Sequence, residues 1–251
     1  LERLSRLDIP VVPTSSKTRA EIVGIRSEMG NDHPFIVENG AAVFIPVGYF
    51  SRQPANTIER EGYWIHDSSG PRSQWLQLLS VLEEQFAGEF DNFHSAGAEG
   101  IAAMTGLSVS AASLANSREY SEPVRWLGGA SRREEFVRAL IAGGSNPLQG
   151  GRFLTLAGDC DKGRALAWLR GAYRQALDVE QVTDLAAGDS GNDVAMLEAA
   201  QTALVIRSPV HDFPQLSRTD GIIYTAEPGP TGWAEGVEQW LTATTSSAIK
   251  S

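Results

Sequence analysis

The 251-residue sequence is poor in cysteine, in positive charge and in long hydrophobic runs. Its single cysteine, Cys160, excludes an internal disulfide framework and a zinc site built from several cysteines. Lysine and arginine number 21 against 31 aspartate and glutamate residues, so the net charge of −10 argues against nucleic acid as a partner. No apolar run approaches the ~18 residues of a membrane span, and there is no charged-then-apolar leader. We therefore expect a soluble cytoplasmic protein that does not bind membranes.

The start of the sequence is unusual, because it has no initiating Met. Leu1, Leu4 and Leu7 already recur at helical spacing, and no N-cap residue precedes them. This pattern predicts that the printed chain begins inside a helix.

Three regions of the sequence differ in their predicted secondary structure. In residues 1–46, predicted strands at 9–13 and 34–37 alternate with a helix at 19–29, which is typical of a parallel α/β sheet with ligands at its strand ends. Residues 47–158 mix helices and strands and include a capping-box pattern, Ser131 to Glu134, so we expect an α+β insert. The alternation of strands and helices resumes at 159–251. The last ten residues are expected to form a frayed tail. The predicted fold class is a Rossmann-like α/β core interrupted by an α+β domain.

The segment Gly188-Asp189-Ser190-Gly191-Asn192-Asp193 carries the sharpest chemical signal. Asp189 falls at a predicted strand end and Asp193 in the first turn of the next helix, so both carboxylates can converge on one hard cation. Oxygen ligands without His or Cys favour Mg²⁺. The alternative is a plain turn in which Asp193 only caps the helix.

Two further groups suit a phosphate. Ser15, at the end of the first predicted strand, offers a hydroxyl close to a helix N-terminus, and Lys17 follows it. Lys162 begins the helix that re-enters the α/β region, so its ammonium can point toward the strand ends. The alternative for Lys162 is a solvated surface lysine.

These residues resemble the haloacid dehalogenase superfamily of phosphatases, with Ser15, Lys162 and the 188–193 segment as its second, third and fourth motifs. Glu38-Asn39-Gly40-Ala41, followed by an insert, resembles the Cof-like branch with a type-IIB cap. Residues 13–21, 118–123 (Arg-Glu-Tyr-Ser-Glu-Pro) and 229–233 are similar to the mannosyl-3-phosphoglycerate phosphatase group of that branch. The resemblance implies a core at 1–46, a cap at 47–158 and a second core part at 159–251.

The resemblance also implies a Mg²⁺-dependent two-step hydrolysis of a small phosphorylated sugar acid through an aspartyl-phosphate. Arg118 and Glu122 would bind glycerate and sugar, unless they form an internal pair at i and i+4. Arg132, Arg133 and Arg152 are weaker candidates. The implied sites are catalytic Ser15 and Lys162; substrate-binding Ser16, Lys17, Asn39, Gly40, Arg118 and Glu122; and metal-binding Asp189, Asn192 and Asp193.

One family motif is missing from the sequence. The nucleophilic Asp-x-Asp at the end of the first core strand is absent, and we expect it upstream of Leu1, so the first core part lacks its first strand. Asp159-Cys160-Asp161 has the spacing but no preceding apolar strand. The printed chain is therefore not expected to form the phosphoenzyme. Two alternatives remain, a broader Cof-like sugar phosphatase and a non-catalytic sugar-phosphate binding protein, and the oligomeric state stays open.

Overall fold

The structure is a computed structural model that describes residues 1–248 of the chain. It divides into two compact units, the first running from Leu1 to Cys160 and the second beginning at Asp161. Each unit has its own sheets and its own buried clusters, and each is described separately below.

The first unit contains six helices and eight strands within the described residues. The helices are α1 (Glu2–Arg6), α2 (Arg19–Glu28), α3 (Arg72–Leu82), α4 (Phe93–Thr105), α5 (Val109–Asn116) and α6 (Ala130–Ala142). The strands are β1 (Phe35–Val37), β2 (Ala42–Pro46), β3 (Ile58–Arg60), β4 (Tyr63–Asp67), β5 (Phe90–Asn92), β6 (Glu122–Trp126), β7 (Leu148–Gln149) and β8 (Leu154–Leu156).

These strands form two antiparallel sheets, in the orders β1-β2-β4-β3 and β5-β6-β8-β7. In the second sheet, alternate residues of β6 and β8 face α3 and α6, and the cluster between them includes Trp75, Phe86, Phe136 and Leu156. Each of these side chains is essentially inaccessible, and burying one contributes about 1.5–3 kcal/mol. This apolar layer holds α3 and α6 against the second sheet, whereas α4 and α5 pack in a separate cluster around Ile101.

The second unit contains a three-stranded parallel sheet in the order β11-β10-β9. Its elements are α7 (Lys162–Leu177), β9 (Leu185–Gly188), α8 (Val194–Ala199), β10 (Thr202–Arg207), β11 (Ile222–Pro228) and α9 (Gly229–Ala248). A 3-10 turn, Gly191–Asp193, joins β9 to α8. Ala203 and Val205 of the central strand are fully buried, as is Leu197 of α8. The predicted strand–helix alternation is confirmed here.

The predicted strand at residues 9–13 is not formed. Pro10 and Pro13 have no N–H to donate to a sheet ladder, so they weaken any strand there. The end of the segment is joined to β1 by a parallel bridge between Thr14 and Ile36, in which the Ile36 N–H donates to the carbonyl oxygen of Pro13 at 2.8 Å. The sheet that contains β1 and β2 is antiparallel, so the parallel sheet predicted for residues 1–46 is wrong for these strands.

Two further expectations differ from the structure. The capping box predicted at Ser131 is not used, because α6 begins at Ala130, two residues earlier than a Ser131 cap requires, with Gly129 at the N-cap position. Residues 242–248 are helical rather than frayed, and residues 249–251 of the predicted tail lie outside the described residues.

The predicted domain boundary after residue 46 falls within the first sheet. The sheet that contains β1 and β2 continues through β4 to Asp67. The division into 1–46, 47–158 and 159–251 stays a prediction.

Candidate active site

Lys162 occupies the first position of α7, where the helix start is fixed by two local features. Asp161 is the N-cap, and its Oδ1 accepts a hydrogen bond of 2.8 Å from the backbone N–H of Arg164. Gly163 permits a close approach to α8, because a Cβ there would lie 2.2 Å from the carbonyl oxygen of Ala195. Lys162 is therefore carried against the start of α8 and is only 5% exposed. The alternative of a solvated surface lysine is wrong.

Asp193 lies at the end of the turn that follows β9, and its carboxylate is held on both oxygens. Oδ1 accepts a hydrogen bond of 2.6 Å from Lys162 Nζ. Oδ2 accepts from the backbone N–H groups of Asp189 (3.2 Å) and Ser190 (3.1 Å), and from Ser190 Oγ (3.0 Å). Gly188 makes this possible, because a Cβ there would lie 2.5 Å from Asp193 Cβ. Asp193 thus caps the turn and also pairs with Lys162, whereas metal binding by Asp189 and Asp193 stays a prediction.

The electrostatics of this pair keep Asp193 ionised. Burial alone raises the pKa of Asp193, but the charge of Lys162 and the hydrogen bonds from Lys162 and Ser190 outweigh burial, so the pKa lies below its ordinary value. Buried ion pairs rarely add stability over well-packed apolar side chains, since both charges lose their hydration. A buried pair of this kind, where the chain leaves a strand end, is therefore better explained by function than by stability.

The remaining acidic residue of the segment, Asp189, is exposed at the C-terminal end of β9. Asn192 contributes an amide oxygen, Oδ1, which accepts a hydrogen bond of 2.6 Å from Ser190 Oγ. Across residues 1–248, no group of three or more His, Cys, Asp or Glu side chains is placed to hold a metal ion. The donor set still fits Mg²⁺, which binds through one or two carboxylates together with waters and substrate phosphate. Asp189 suits direct coordination better than Asp193, whose oxygens are already engaged.

In the first unit, Ser15, Ser16 and Lys17 form a short loop before α2. Ser15 Oγ accepts a hydrogen bond of 3.2 Å from the Lys17 backbone N–H, and Lys17 Nζ donates to Glu21 Oε1 at 2.9 Å. The next residue, Thr18, is the N-cap of α2 and forms a capping box with Glu21. Ser16 and Lys17 are exposed, and Ser15 is half-buried. The predicted hydroxyl and lysine thus lie together, immediately ahead of a capped helix.

Asn39 and Gly40 lie beside this loop, in the 3-10 turn between β1 and β2. Glu38, Asn39 and Gly40 have positive φ angles of 49°, 61° and 94°. The backbone N–H of Asn39 donates to the carbonyl oxygen of Ser15 at 3.0 Å, and that of Glu38 to the carbonyl oxygen of Lys17 at 3.0 Å. Four of the predicted substrate-binding residues are therefore brought together with Ser15 in the first unit: Ser16, Lys17, Asn39 and Gly40.

Arg118 and Glu122 do not form the internal i and i+4 pair that the sequence left open. Arg118 pairs instead with Glu38, 80 positions earlier, at 3.5 Å. Glu122 is fully buried; its Oε2 accepts from Arg72 Nε at 2.5 Å and its Oε1 from the His94 backbone N–H at 2.9 Å. Contact of Arg118 and Glu122 with a substrate stays a prediction, and both side chains already have protein partners.

The three weaker arginine candidates also have protein partners. Arg132 pairs with Glu89 and Glu135, and its guanidinium lies over the Phe86 ring. Arg133 bonds Gln149, and Arg152 donates to the carbonyl oxygens of Met104 and Thr105. These contacts give each of them a structural explanation.

Sequence reasoning missed Glu38 as a buried ionic partner and Arg72 as the partner of Glu122. Glu38 belongs to the Glu38-Asn39-Gly40-Ala41 motif, and no local pattern links it to residues 118–121. The one signal in the sequence for a buried partner is an acidic residue between two apolar strands, because a buried carboxylate requires hydrogen-bond donors.

Comparison with known proteins gives consistent matches. The family model described as sucrose-6F-phosphate phosphohydrolase matches residues 149–240. The glucosyl-3-phosphoglycerate/mannosyl-3-phosphoglycerate phosphatase of Methanococcoides burtonii is 32% identical over 238 residues, covering 94% of this chain and 86% of the relative. The mannosyl-3-phosphoglycerate phosphatase of Pyrococcus horikoshii is 34% identical over 214 residues, covering 84% and 83%.

Solved structures support the same fold. A phosphatase of the haloalkanoate dehalogenase superfamily from Bacteroides thetaiotaomicron matches with a TM-score of 0.61 and 17% identity, covering 97% of this chain and 84% of its own. The sucrose-phosphatase of a Synechocystis species matches with a TM-score of 0.56 and 15% identity, covering 95% and 88%. None of the helices in the described part of the chain is long and apolar enough to cross a membrane.

The α/β fold and these matches therefore define a phosphatase of the haloacid dehalogenase type, with an α/β core and a cap. Within that class, the identity and coverage of its relatives are high enough to fix the family. The chain belongs to the glucosyl-3-phosphoglycerate and mannosyl-3-phosphoglycerate phosphatases.

Proposed function

We propose that this protein is a Mg²⁺-dependent phosphatase that hydrolyses mannosyl-3-phosphoglycerate or its glucosyl relative through an aspartyl-phosphate. The observation that carries the proposal is the buried Lys162–Asp193 pair at the end of β9, next to the exposed carboxylate of Asp189. The two relatives that share a third of its residues are named for these substrates.

Each site residue of the second unit has a defined role in the proposal. The Lys162 ammonium neutralises charge on the phosphoryl oxygens, and Asp193 fixes its position and keeps it paired until the phosphate binds. Asp189 holds Mg²⁺ together with the amide oxygen of Asn192, and the ion supplies positive charge to the phosphate when it is bound. Asp193 acts on the reaction through Lys162 and through the fold of the turn.

The Ser15 loop supplies the remaining contacts in the proposal. Ser15 Oγ, which accepts from a backbone N–H, keeps its own proton available to donate to a phosphoryl oxygen. Ser16, Lys17, Asn39 and Gly40 border that hydroxyl and bind the rest of the substrate. The reaction also needs a nucleophilic aspartate, which we expect upstream of Leu1.

Phosphate release by the protein translated from its complete reading frame tests the proposal. The substrates are mannosyl- and glucosyl-3-phosphoglycerate beside hexose 6-phosphates and sucrose 6-phosphate, each with Mg²⁺ and with excess EDTA. We expect the glycosyl-3-phosphoglycerates to be hydrolysed at least about tenfold faster in kcat/KM, because a buried or paired contact to the glycerate is worth about 1.4 kcal/mol or more. EDTA should abolish the activity.

Other outcomes would replace the proposal. Equal activity across the panel indicates a broad sugar phosphatase, and preference for sucrose 6-phosphate would favour the activity named by the matching family model. Binding of substrate without phosphate release indicates a binding protein. Full activity in EDTA would contradict the metal requirement.

A further inference from the structure

The most unusual residue outside the proposed reaction chemistry is Glu38. Its side chain is completely buried, and its backbone has a φ of 49°, a conformation that L-residues other than Asn and Asp rarely adopt. A buried carboxylate in a strained backbone position persists only when its surroundings require it. The partners of Glu38 therefore indicate what this conformation maintains.

Within the described residues, the side-chain partners of Glu38 come from one distant turn, residues 118–121. Oε1 accepts from the backbone N–H of Glu119 at 2.9 Å, and Oε2 accepts from Ser121 Oγ at 2.6 Å and from the backbone N–H of Tyr120 at 3.3 Å. Arg118 Nε lies 3.5 Å from the same oxygen. The buried carboxylate of Glu38 thus fixes both the backbone of residues 118–121 and the guanidinium of Arg118.

That guanidinium reaches the Ser15 loop. The Arg118 side chain is only 6% exposed. Its Nε donates to Ser121 Oγ at 3.0 Å, and its Nη2 donates to the carbonyl oxygen of Ser16 at 2.9 Å. Ser16 directly follows the hydroxyl of Ser15. Because Arg118 is largely enclosed and bonded to protein oxygens, it is placed to orient this loop rather than to present a free charge to a ligand.

Glu38 also holds the loop directly through its backbone. Its N–H donates to the carbonyl oxygen of Lys17 at 3.0 Å, and the next N–H, that of Asn39, donates to the carbonyl oxygen of Ser15 at 3.0 Å. The loop is therefore bonded on successive carbonyl oxygens: Ser15 and Lys17 by the 38–39 turn, and Ser16 by Arg118. We infer that Glu38 and Arg118 are positioning residues, which fix the Ser15–Lys17 backbone so that Ser15 presents its hydroxyl to a phosphate.

The inference rests on the proposed function only for the identity of the ligand. A matched control variant distinguishes an effect on the position of the Ser15 loop from a general loss of stability. Arg26 is also a buried arginine, and it likewise donates to one side-chain oxygen, Asn31 Oδ1 at 3.2 Å, and one carbonyl oxygen, His33 O at 2.5 Å. It lies at the far end of α2 from the Ser15 loop. R118K and R26K therefore each remove a guanidinium hydrogen bond to a backbone carbonyl oxygen, one on the loop and one away from it.

The experiment measures hydrogen–deuterium exchange of the peptide containing residues 14–18 and the inhibition constant of inorganic phosphate, in the protein from its complete reading frame. We expect R118K to speed exchange in that peptide about tenfold and to weaken phosphate inhibition about tenfold, the ratio for loss of one charge-assisted hydrogen bond. R26K should change both by less than about twofold even where it lowers the melting temperature as much.

E38Q keeps the shape of the side chain but removes its charge, so it provides a second variant should R118K fail to fold. We expect it to change both readouts in the same direction as R118K. Wild-type exchange in R118K and E38Q, or equal effects in R26K, would overturn the inference. If the wild-type protein releases phosphate from none of the sugar phosphates, the proposed function fails, and the exchange comparison still decides whether the pair orders the loop.

Discussion

Two of the buried ion pairs in the described part of the chain, Lys162–Asp193 and Glu38–Arg118, use the same chemistry for different ends. Lys162 and Asp193 lie 2.6 Å apart, and the other oxygen of Asp193 is taken up by its own turn. Glu38 and Arg118 are 3.5 Å apart, and Glu38 accepts its shorter bonds from a turn about 80 residues away. The first pair fixes a charged side chain, whereas the second fixes the backbone of a loop. Only the first should therefore contribute directly to the chemistry.

The largest expected effect is that of Lys162→Met, which keeps the length of the side chain and removes the charge. Asp193 would be left buried without its counter-ion, so we expect the free energy of unfolding to fall by about 3–5 kcal/mol. Phosphatase activity should fall at least ~10³-fold, because a preorganised positive charge is lost from the phosphate. Urea unfolding and phosphate release check the two effects. Retained activity in a folded variant would show that Lys162 is only structural.

A smaller effect, on stability alone, is expected for Glu122→Gln. Glu122 is fully buried with Arg72, so losing its charge should cost about 3 kcal/mol. Because both its oxygens bond protein groups, kcat and KM should stay within about twofold of wild type. A rise in KM without loss of stability would instead support direct contact between Glu122 and the sugar, as the sequence suggested.

The smallest effect is the pH dependence of the Lys162–Asp193 pair. Burial raises the pKa of Asp193, but Lys162 and the hydrogen bonds lower it more, so it lies below the ordinary value of 3.8. A lowered carboxyl pKa adds stability that is present above the unfolded pKa and is lost as the pH falls through the folded pKa. Wild type should therefore exceed Asp193→Asn in stability at neutral pH. In urea unfolding, the difference between the two curves should begin to shrink near pH 3.8 and disappear as the pH falls through the lower folded pKa, whereas a constant difference would mean that the charge of Asp193 does not matter.

The sequence predicted the second unit better than the first, for physical reasons. Asp189, Asn192 and Asp193 lie within one strand-to-turn segment, so local spacing suffices to bring them together, and the helix beginning at Lys162 carries its own cap in Asp161. Residues 9–13 have the apolar composition of a strand, yet their prolines prevent a regular ladder. The partners of Glu38 and Glu122 depend on tertiary contacts across 28 to 83 positions, which no local pattern encodes.

The measurement that tests the central claim most directly is the Mg²⁺ activation of Asp189→Asn beside wild type, with unfolding free energies of both. Asp189 is exposed, so the account predicts stability within about 0.5 kcal/mol of wild type. It also predicts activity reduced about 10²–10³-fold, with a much higher Mg²⁺ concentration needed for half-activation. An unchanged Mg²⁺ requirement with near wild-type activity would contradict the assignment of this strand end as the metal and phosphate site.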